Sequence, residues 1–329
     1  MITTVITAVM MGVLPLASRA GAQEVNLGLP AASVRLDAGR FTFVAERHDE
    51  VLARALLAAA QREDTFPGLP RPRARVLVAL APDGERFRQW IGPAAPEWGA
   101  AVAFPDLQRV IMQGSRAGSD AGDPLVVLRH ELAHLALHEH MGALPPRWFD
   151  EGYASVAARE WTREQTFETS VALVWRTLPG VDSLDRGFYG GAGQADWSYA
   201  LAHRVVAALN ELDPDNGMTN FFRNWKETGS FEPALRLSYG ITGAQFDKHW
   251  HGVTRRRYGA LALVSNLSIA VALFTVILGP LVVSRRRRDR RRLEVMRATE
   301  AAQERAARES ALEALLQMGA TPSRPSAEP

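Results

Sequence analysis

The sequence has no cysteine among its 329 residues. Disulfide bonds, thiolate metal sites and a cysteine nucleophile are therefore excluded as the basis of its fold or chemistry. The chain also has little net charge, because 38 Lys and Arg stand against 36 Asp and Glu. This balance does not favour a polyanion-binding protein, and we predict no nucleic-acid partner.

The first of two apolar segments, Val5 to Ala17, carries no charge. It is followed by Ala20-Gly21-Ala22, a small-x-small pattern that favours signal-peptide cleavage before Gln23. We therefore predict a signal peptide over residues 1–22. Because no Lys or Arg precedes the apolar segment, an uncleaved anchor is the alternative.

The second apolar segment, Leu261 to Val283, has the length of about 20 residues that a helix needs to cross a bilayer. Seven arginines lie between Arg285 and Arg292, whereas only Arg255 to Arg257 precede the segment. Cytoplasmic flanks of membrane helices carry the excess of Lys and Arg, so the C-terminal side is predicted to be cytoplasmic. We expect one transmembrane helix over residues 259–284.

These segments divide the chain into an exported domain and a cytoplasmic segment. The domain, residues 23–258, is expected on the periplasmic or extracytoplasmic side of a bacterial inner membrane. Residues 285–329 are expected to hold a basic stretch, an amphipathic helix (Leu293 to Met318) and a disordered tail. In the exported domain strands precede helices, which predicts an α+β fold. The predicted strands are 39–46, 74–80, 99–104 and 109–114, and the predicted helices are 48–62, 83–90, one from Pro124, 148–161, 163–177, 195–210 and 242–258.

The segment LRHELAHLALHEH, Leu128 to His140, contains H-E-x-x-H at His130 to His134. Asp123-Pro124 ahead of it is typical of a helix N-terminus. Residues four apart lie on one face of a helix, so both imidazoles can bind a single zinc ion. Glu131 lies beside them, where it can take a proton from a bound water. The pattern therefore predicts a zinc site.

A catalytic zinc usually has three protein ligands, and two sources compete for the third. His140 has the spacing of the metzincin pattern, but Leu137 replaces the glycine that turns the chain there and continues the helix instead. His138 lies on the right face but one turn too far along. The other source is Glu151, since the break at Pro145-Pro146 starts a second helix whose early carboxylates can approach the zinc from the side.

HELAH followed by PRWFDEGYA resembles the peptidase MA-like group of gluzincins, distant relatives of thermolysin and of the aminopeptidases. Residues Pro146 to Ala154 match the group's P-x-W-x-x-E-G-x-A segment in register. The resemblance covers roughly residues 40–250 and is sharp only over His130 to Ala154. It implies a thermolysin-like minimal metallopeptidase domain, with a small N-terminal sheet followed by helices. The stretch PEWGAAVAF…RVIMQG resembles the group's edge strand, which pairs with extended peptide beside the cleft.

The resemblance also implies roles for individual residues. His130, His134 and Glu151 are expected to bind Zn²⁺, and Glu131 is expected to be the general base in hydrolysis of a peptide or protein substrate. Transition-state stabilisation is expected from Tyr199 or His203, which lie four apart on one predicted helix and can both face the cleft. The glycine-rich segment 187–193 ahead of them is predicted to be a loop over the cleft.

One position departs from the pattern. Thermolysin-like enzymes carry a carboxylate one turn after the third ligand, where it supports a zinc-bound histidine. This chain has Ser155 there, so the support must come from elsewhere, with Asp150 as the candidate.

A second class of function is compatible with the same residues. A zinc-containing domain of the cell envelope can bind or scaffold peptides without cleaving them. Glu131 argues against this alternative, because a purely structural zinc needs no acid beside it.

Overall fold

The structure of the chain is a computed structural model, and it describes residues 33–92, 100–116, 122–143, 145–160, 177–189, 192–265 and 267–319. The predicted signal peptide, the predicted tail and, apart from its last residue, the predicted helix 163–177 lie outside the described residues. The chain divides into two compact units, with the boundary between Ser265 and Asn266.

The first unit contains a five-stranded mixed sheet with the strand order β1-β2-β3-β5-β4. Strands β2, β3 and β5 are parallel, and the two edge strands β1 and β4 run antiparallel to their neighbours. The strands are β1 (Ser33–Ala38), β2 (Phe41–Glu46), β3 (Val76–Ala81), β4 (Ala101–Phe104) and β5 (Arg109–Gln113).

Helices make up the rest of the first unit. Helix α1 (Glu50–Arg62) links β2 to β3, and α2 (Gly84–Ile91) follows β3. After the sheet come α3 (Pro124–Met141), α4 (Arg147–Ala158), a 3₁₀ helix (Val181–Tyr189), α5 (Ala192–Asn210), α6 (Thr219–Thr228), α7 (Phe231–Tyr239) and α8 (Gly243–Ser265).

The alternation of side chains along the strands separates two apolar layers. Val78 of β3 and Ala103 of β4 face the main core, where α1 and α3 pack on the sheet. Ala79 and Val102 face the other side and contact a smaller cluster that includes Phe87 of α2. Helix α3 is therefore pressed against the edge of the sheet that β4 forms.

Helix α4 lies between α3 and α5 and is buried along almost its whole length. Its Phe149 packs edge-on against Trp225 of α6. A Cβ atom at Gly152 would collide with the backbone carbonyl of Ala202 on α5, so only glycine allows the two helices to approach this closely. The glycine after Glu151 thus sets the distance at which α5 crosses α4.

The second unit contains helix α9 (Leu267–Gly319), which has Pro280 inside it and mostly exposed side chains where these are described. Among the described residues, no helix combines the length and the hydropathy of a membrane crossing. Asn266 and the side chains of residues 260–270 lie outside the described part of the structure. The transmembrane helix over residues 259–284 stays a prediction.

The predicted α+β order is confirmed, because the sheet precedes all helices from α3 onward. All four predicted strands are present, as β2 to β5. The edge strand β1 and the short helices α6 and α7 were not predicted from the sequence.

Candidate metal centre

Helix α3 carries both histidines of the H-E-x-x-H pattern. It begins where the Asp123 carboxylate accepts a hydrogen bond from the Leu125 N–H at 2.9 Å, and it ends at Gly142, whose φ is 76°. Between these points the helix is unbroken, and His130 and His134 lie one turn apart with ring centroids separated by 4.8 Å. Both rings are fully buried.

Helix α4 brings a third ligand group to the same place. Pro146 is the N-cap of this helix, and Glu151 lies in its second turn. One Glu151 oxygen lies 3.6 Å from Nε2 of His130 and 4.0 Å from Nε2 of His134. These three residues offer ligand atoms that all lie within 4.8 Å of one another, and all three are buried.

The donor atoms of this group fit a metal ion. Nε2 of His130, Nε2 of His134 and both carboxylate oxygens of Glu151 are buried and have no hydrogen-bond partner in the described structure. Buried polar atoms normally have such partners. Two imidazole nitrogens and a carboxylate directed at one point are the ligands that Zn²⁺ and related ions prefer. These residues could therefore hold a metal ion.

The alternative ligands lie elsewhere. Because α3 continues without a break through Leu137 to Met141, His140 is carried past the site and its ring lies 6.2 Å from that of Phe222. Burial lowers the pKa of His140, and the charge of Lys226 lowers it further. Nε2 of His138 lies 3.3 Å from Oδ1 of the exposed Asp106, away from the other two histidines.

Each histidine of the centre is held at its other nitrogen by a carboxylate. Nδ1 of His134 lies 2.7 Å from Asp150, the residue before Glu151, as the sequence analysis indicated. Nδ1 of His130 lies 2.9 Å from Oε1 of Glu160, a residue whose role was not predicted from the sequence. Such hydrogen bonds fix the ring orientation and leave Nε2 to the metal.

The same carboxylates change the proton affinity of the imidazoles. Burial lowers the pKa of His130, but Glu160, together with the nearby carboxylates of Glu151 and Glu131, outweighs it and raises the pKa to about 10. Burial likewise lowers the pKa of His134, and Asp150 outweighs it, so this pKa is also raised. The surroundings therefore favour a positive charge between the two rings, where a metal cation would contribute one.

Glu131 lies next to the centre and beside the edge strand. Its side chain is buried, and burial raises its pKa against the opposing charges of His134 and His130. The backbone N–H of Ala103 in β4 lies close enough to lower this pKa. This contact joins the acidic residue of the motif to the strand on which the resemblance predicts peptide pairing.

Tyr199 and His203 of α5 are both buried and reach the centre through different neighbours. The Tyr199 hydroxyl accepts a hydrogen bond of 3.3 Å from Arg147, whose Nε lies 3.9 Å from Glu151. Nδ1 of His203 lies 3.0 Å from Oγ of Ser155. Arg147 was not anticipated from the sequence, although it stands directly before Trp148 in the matched motif.

The predicted loop 187–193 is not a loop at its described ends. Gly187 belongs to the 3₁₀ helix and Gly193 to α5, while residues 190–191 lie outside the described residues. Phe188 of the 3₁₀ helix packs against Tyr199 with ring centroids 4.9 Å apart.

Two histidines one turn apart, a glutamate from the next helix and an acidic residue inside the motif define a metallopeptidase-like domain. The family model of the peptidase MA superfamily matches residues 93–255, which include β4, β5 and every residue of the centre. This part of the chain belongs to the peptidase MA superfamily. No curated protein matches the chain.

Proposed function

We propose that the chain is a zinc-dependent metallopeptidase that hydrolyses peptide bonds. One observation carries the proposal. The ligand atoms of His130, His134 and Glu151 converge without hydrogen-bond partners, and Glu131 lies directly beside them. A purely structural zinc site is closed by four protein ligands. In the described structure only three ligand residues converge, and the fourth neighbour is an acid suited to proton transfer.

The chemistry divides between the ion and the chain. A zinc ion held by the three ligands supplies Lewis acidity, which makes a water acidic and polarises the substrate carbonyl. Glu131 takes a proton from the attacking water while the water oxygen bonds to the carbonyl carbon. Glu131 then gives that proton to the amide nitrogen as the C–N bond breaks. Its raised pKa suits a group that must both take and return a proton.

The edge strand β4 supports peptide as the substrate class. The Gln113 N–H bonds to the Ala100 carbonyl at 2.9 Å, so alternate residues of β4 direct their backbone groups towards β5. Ala101 and Ala103 direct theirs away from β5, and the Ala103 backbone lies beside Glu131. An extended peptide that paired with these groups would pass directly alongside Glu131.

Tyr199 and His203 are proposed to stabilise the oxyanion of the transition state. Both lie on α5, which Gly152 allows to pack closely against α4. Their buried positions next to Arg147 and Ser155 support this role, because preorganised donors act most strongly where water is excluded.

We also propose that the domain is exported and anchored in the inner membrane by residues 259–284. The apolar run and the excess of arginine after it support this location. A reporter enzyme that is active only in the cytoplasm, fused after Pro329, should be active. An inactive cytoplasmic fusion, with activity from a periplasmic reporter at the same point, would reverse the orientation.

The full chain, purified in a mild detergent and loaded with zinc, provides the test of activity. It is incubated with a mixed peptide library beside Glu131→Gln and Glu85→Gln, which makes the same chemical change at an exposed carboxylate on α2. We expect cleavage by the unchanged chain and by Glu85→Gln, and its loss on chelation. Glu131→Gln should keep its zinc and lose roughly 10²–10⁴-fold in rate.

The other outcomes are equally informative. Zinc bound by every variant, with cleavage by none, would favour the envelope binding domain over the peptidase. Failure of every variant to bind zinc would overturn the proposal.

A further inference from the structure

Glu160 occupies the place that the family pattern leaves open at Ser155. One of its carboxylate oxygens lies 2.9 Å from Nδ1 of His130, and the other accepts a hydrogen bond of 2.7 Å from the Ser155 hydroxyl. All three residues are buried, with Glu160 exposed by only 7%. A hydroxyl and a carboxylate five residues apart thus replace the single carboxylate expected one turn after Glu151.

The end of α4 folds Glu160 back onto its own helix. Arg159 adopts a left-handed conformation with φ 57°, unusual for a residue with a side chain. The Glu160 N–H then bonds to the Ser155 carbonyl and the Arg159 N–H to the Val156 carbonyl, each at 3.1 Å. This helix-ending pattern reverses the chain and turns the Glu160 side chain towards His130.

The hydrogen-bond chain does not stop at Ser155. Its hydroxyl has a single hydrogen, which it donates to Glu160. Oγ of Ser155 can therefore only accept from Nδ1 of His203, 3.0 Å away. It follows that Nδ1 of His203 carries a proton, and a residue of α5 becomes tied to the carboxylate that orients a metal ligand on α3.

We propose that Glu160 is the positioning residue of His130 and that Ser155 couples it to His203. One carboxylate then orients a metal ligand and, through a serine, the imidazole of His203, which can donate to the oxyanion from Nε2 only when both of its ring nitrogens carry a proton. The role assigned to His203 rests on the proposed peptidase function. The role assigned to Glu160 requires only that the centre binds a metal.

The first experiment measures metal binding, so its result does not depend on finding a substrate. Zinc affinity of the full chain is measured by competition with a chelating dye, and the Co²⁺-loaded chain is examined by visible absorption. Glu160→Ala should weaken zinc binding about 10–100-fold and change the Co²⁺ spectrum, as loss of such support does elsewhere. Glu160→Gln, which keeps one acceptor oxygen, should lose less. Asp150→Asn, at the other histidine, is the positive reference, and Glu85→Gln is the unaffected control.

Coupling through Ser155 is tested by combining substitutions. Ser155→Ala alone should weaken zinc binding, whereas adding it to Glu160→Ala should cause little further loss, because the serine acts through the carboxylate. Losses that simply add would show that Ser155 does not act through Glu160.

The tautomer of His203 provides an independent spectroscopic test. In the chain labelled with ¹⁵N-histidine, we expect a His203 signal with a protonated Nδ1, assigned by its disappearance in His203→Gln. Ser155→Ala should shift this signal. A His203 signal protonated only at Nε2 would overturn the coupling. Unchanged zinc affinity and Co²⁺ spectra in both Glu160 variants would overturn the positioning role. Normal zinc binding without cleavage of any peptide would instead count against the proposed function alone.

Discussion

His203 and Arg204 are neighbours on α5, yet they belong to two polar clusters of opposite character. Successive residues of a helix point about 100° apart, so His203 faces α4 and the metal centre while Arg204 faces α8. Both side chains are buried, and Arg204 is among the largest fully buried side chains in the described structure. Burial of a polar group therefore does not distinguish the two clusters.

The cluster around Arg204 is closed. Two guanidinium nitrogens donate to the two oxygens of Glu211, each at 3.0 Å, and Nε donates to the Thr254 hydroxyl at 3.3 Å. The Arg204 hydrogen bonds lower the pKa of Glu211 against the effect of its partial burial. Every nitrogen of the guanidinium is used within the protein, and the cluster fastens α8 to α5.

The cluster around His130 is open. Asp150 and Glu160 satisfy one nitrogen of each histidine, while the other nitrogens and both Glu151 oxygens meet at one point without hydrogen-bond partners. The clusters thus differ in whether polar atoms are left without hydrogen-bond partners and, where they are, whether these atoms point to one place. A cluster whose polar atoms all bond to one another stabilises the fold. A cluster whose unpaired nitrogen and oxygen atoms converge on one point is organised around a ligand.

The largest expected effect on stability follows from zinc binding to the open cluster. Zinc at about 1,000 times its Kd should stabilise the folded chain by about 4.1 kcal/mol through mass action. Thermal unfolding with and without zinc measures this gain. Glu151→Ala removes one of the three ligand residues and should abolish it, while Glu211→Ala, in the closed cluster, should respond to zinc as the unchanged chain does. A full zinc response in Glu151→Ala would show that the ion binds elsewhere, and the distinction between the clusters would fail.

Breaking the closed cluster should have the next largest effect. Glu211→Ala leaves the buried Arg204 guanidinium without its paired carboxylate. Removing one partner of a fully buried pair costs about 3–5 kcal/mol, and because Glu211 is 46% exposed we expect a smaller loss of about 2–3 kcal/mol. Urea unfolding of the metal-free chain measures it. Glu50→Ala, which breaks the surface pair with Arg54, is the matched control and should cost under about 0.5 kcal/mol. A similar loss in both variants would contradict the closed-cluster interpretation.

The sequence predicted the open cluster better than the closed one. His130, Glu131 and His134 are linked by helical spacing, and Glu151 follows a visible break at Pro145-Pro146, so local pattern was sufficient to bring them together. The pairing of Arg204 with Thr254 joins positions 50 residues apart on two helices, and no local pattern indicates it.

Glu160 shows why part of the centre could not be predicted. Its place beside His130 depends on the left-handed turn at Arg159, where the usual signal is a glycine. The short helices α6 and α7 were missed for a related reason, since they follow each other closely around Gly229 and Ser230 and resemble a turn-rich segment. The edge strand β1 alternates partly exposed and exposed residues and lacks the apolar run that revealed β3.

The smallest expected effect is a gain in the free energy of unfolding, whereas breaking the closed cluster causes a loss. This opposite sign distinguishes the two clusters. Glu131 is a buried carboxylate with one oxygen that has no hydrogen-bond partner, so its charge costs free energy in the metal-free chain. At neutral pH, Glu131→Gln should therefore raise the free energy of unfolding of the metal-free chain by up to about 1 kcal/mol, as often happens when an active-site group is neutralised. Urea unfolding measures it, and Glu85→Gln on the surface should change the value by less than about 0.5 kcal/mol. A residue that stabilised the fold, as Glu211 is expected to do, would give a loss on substitution. If Glu131→Gln also destabilises the metal-free chain, Glu131 belongs with the closed cluster, and its placement beside the metal ligands loses its functional meaning.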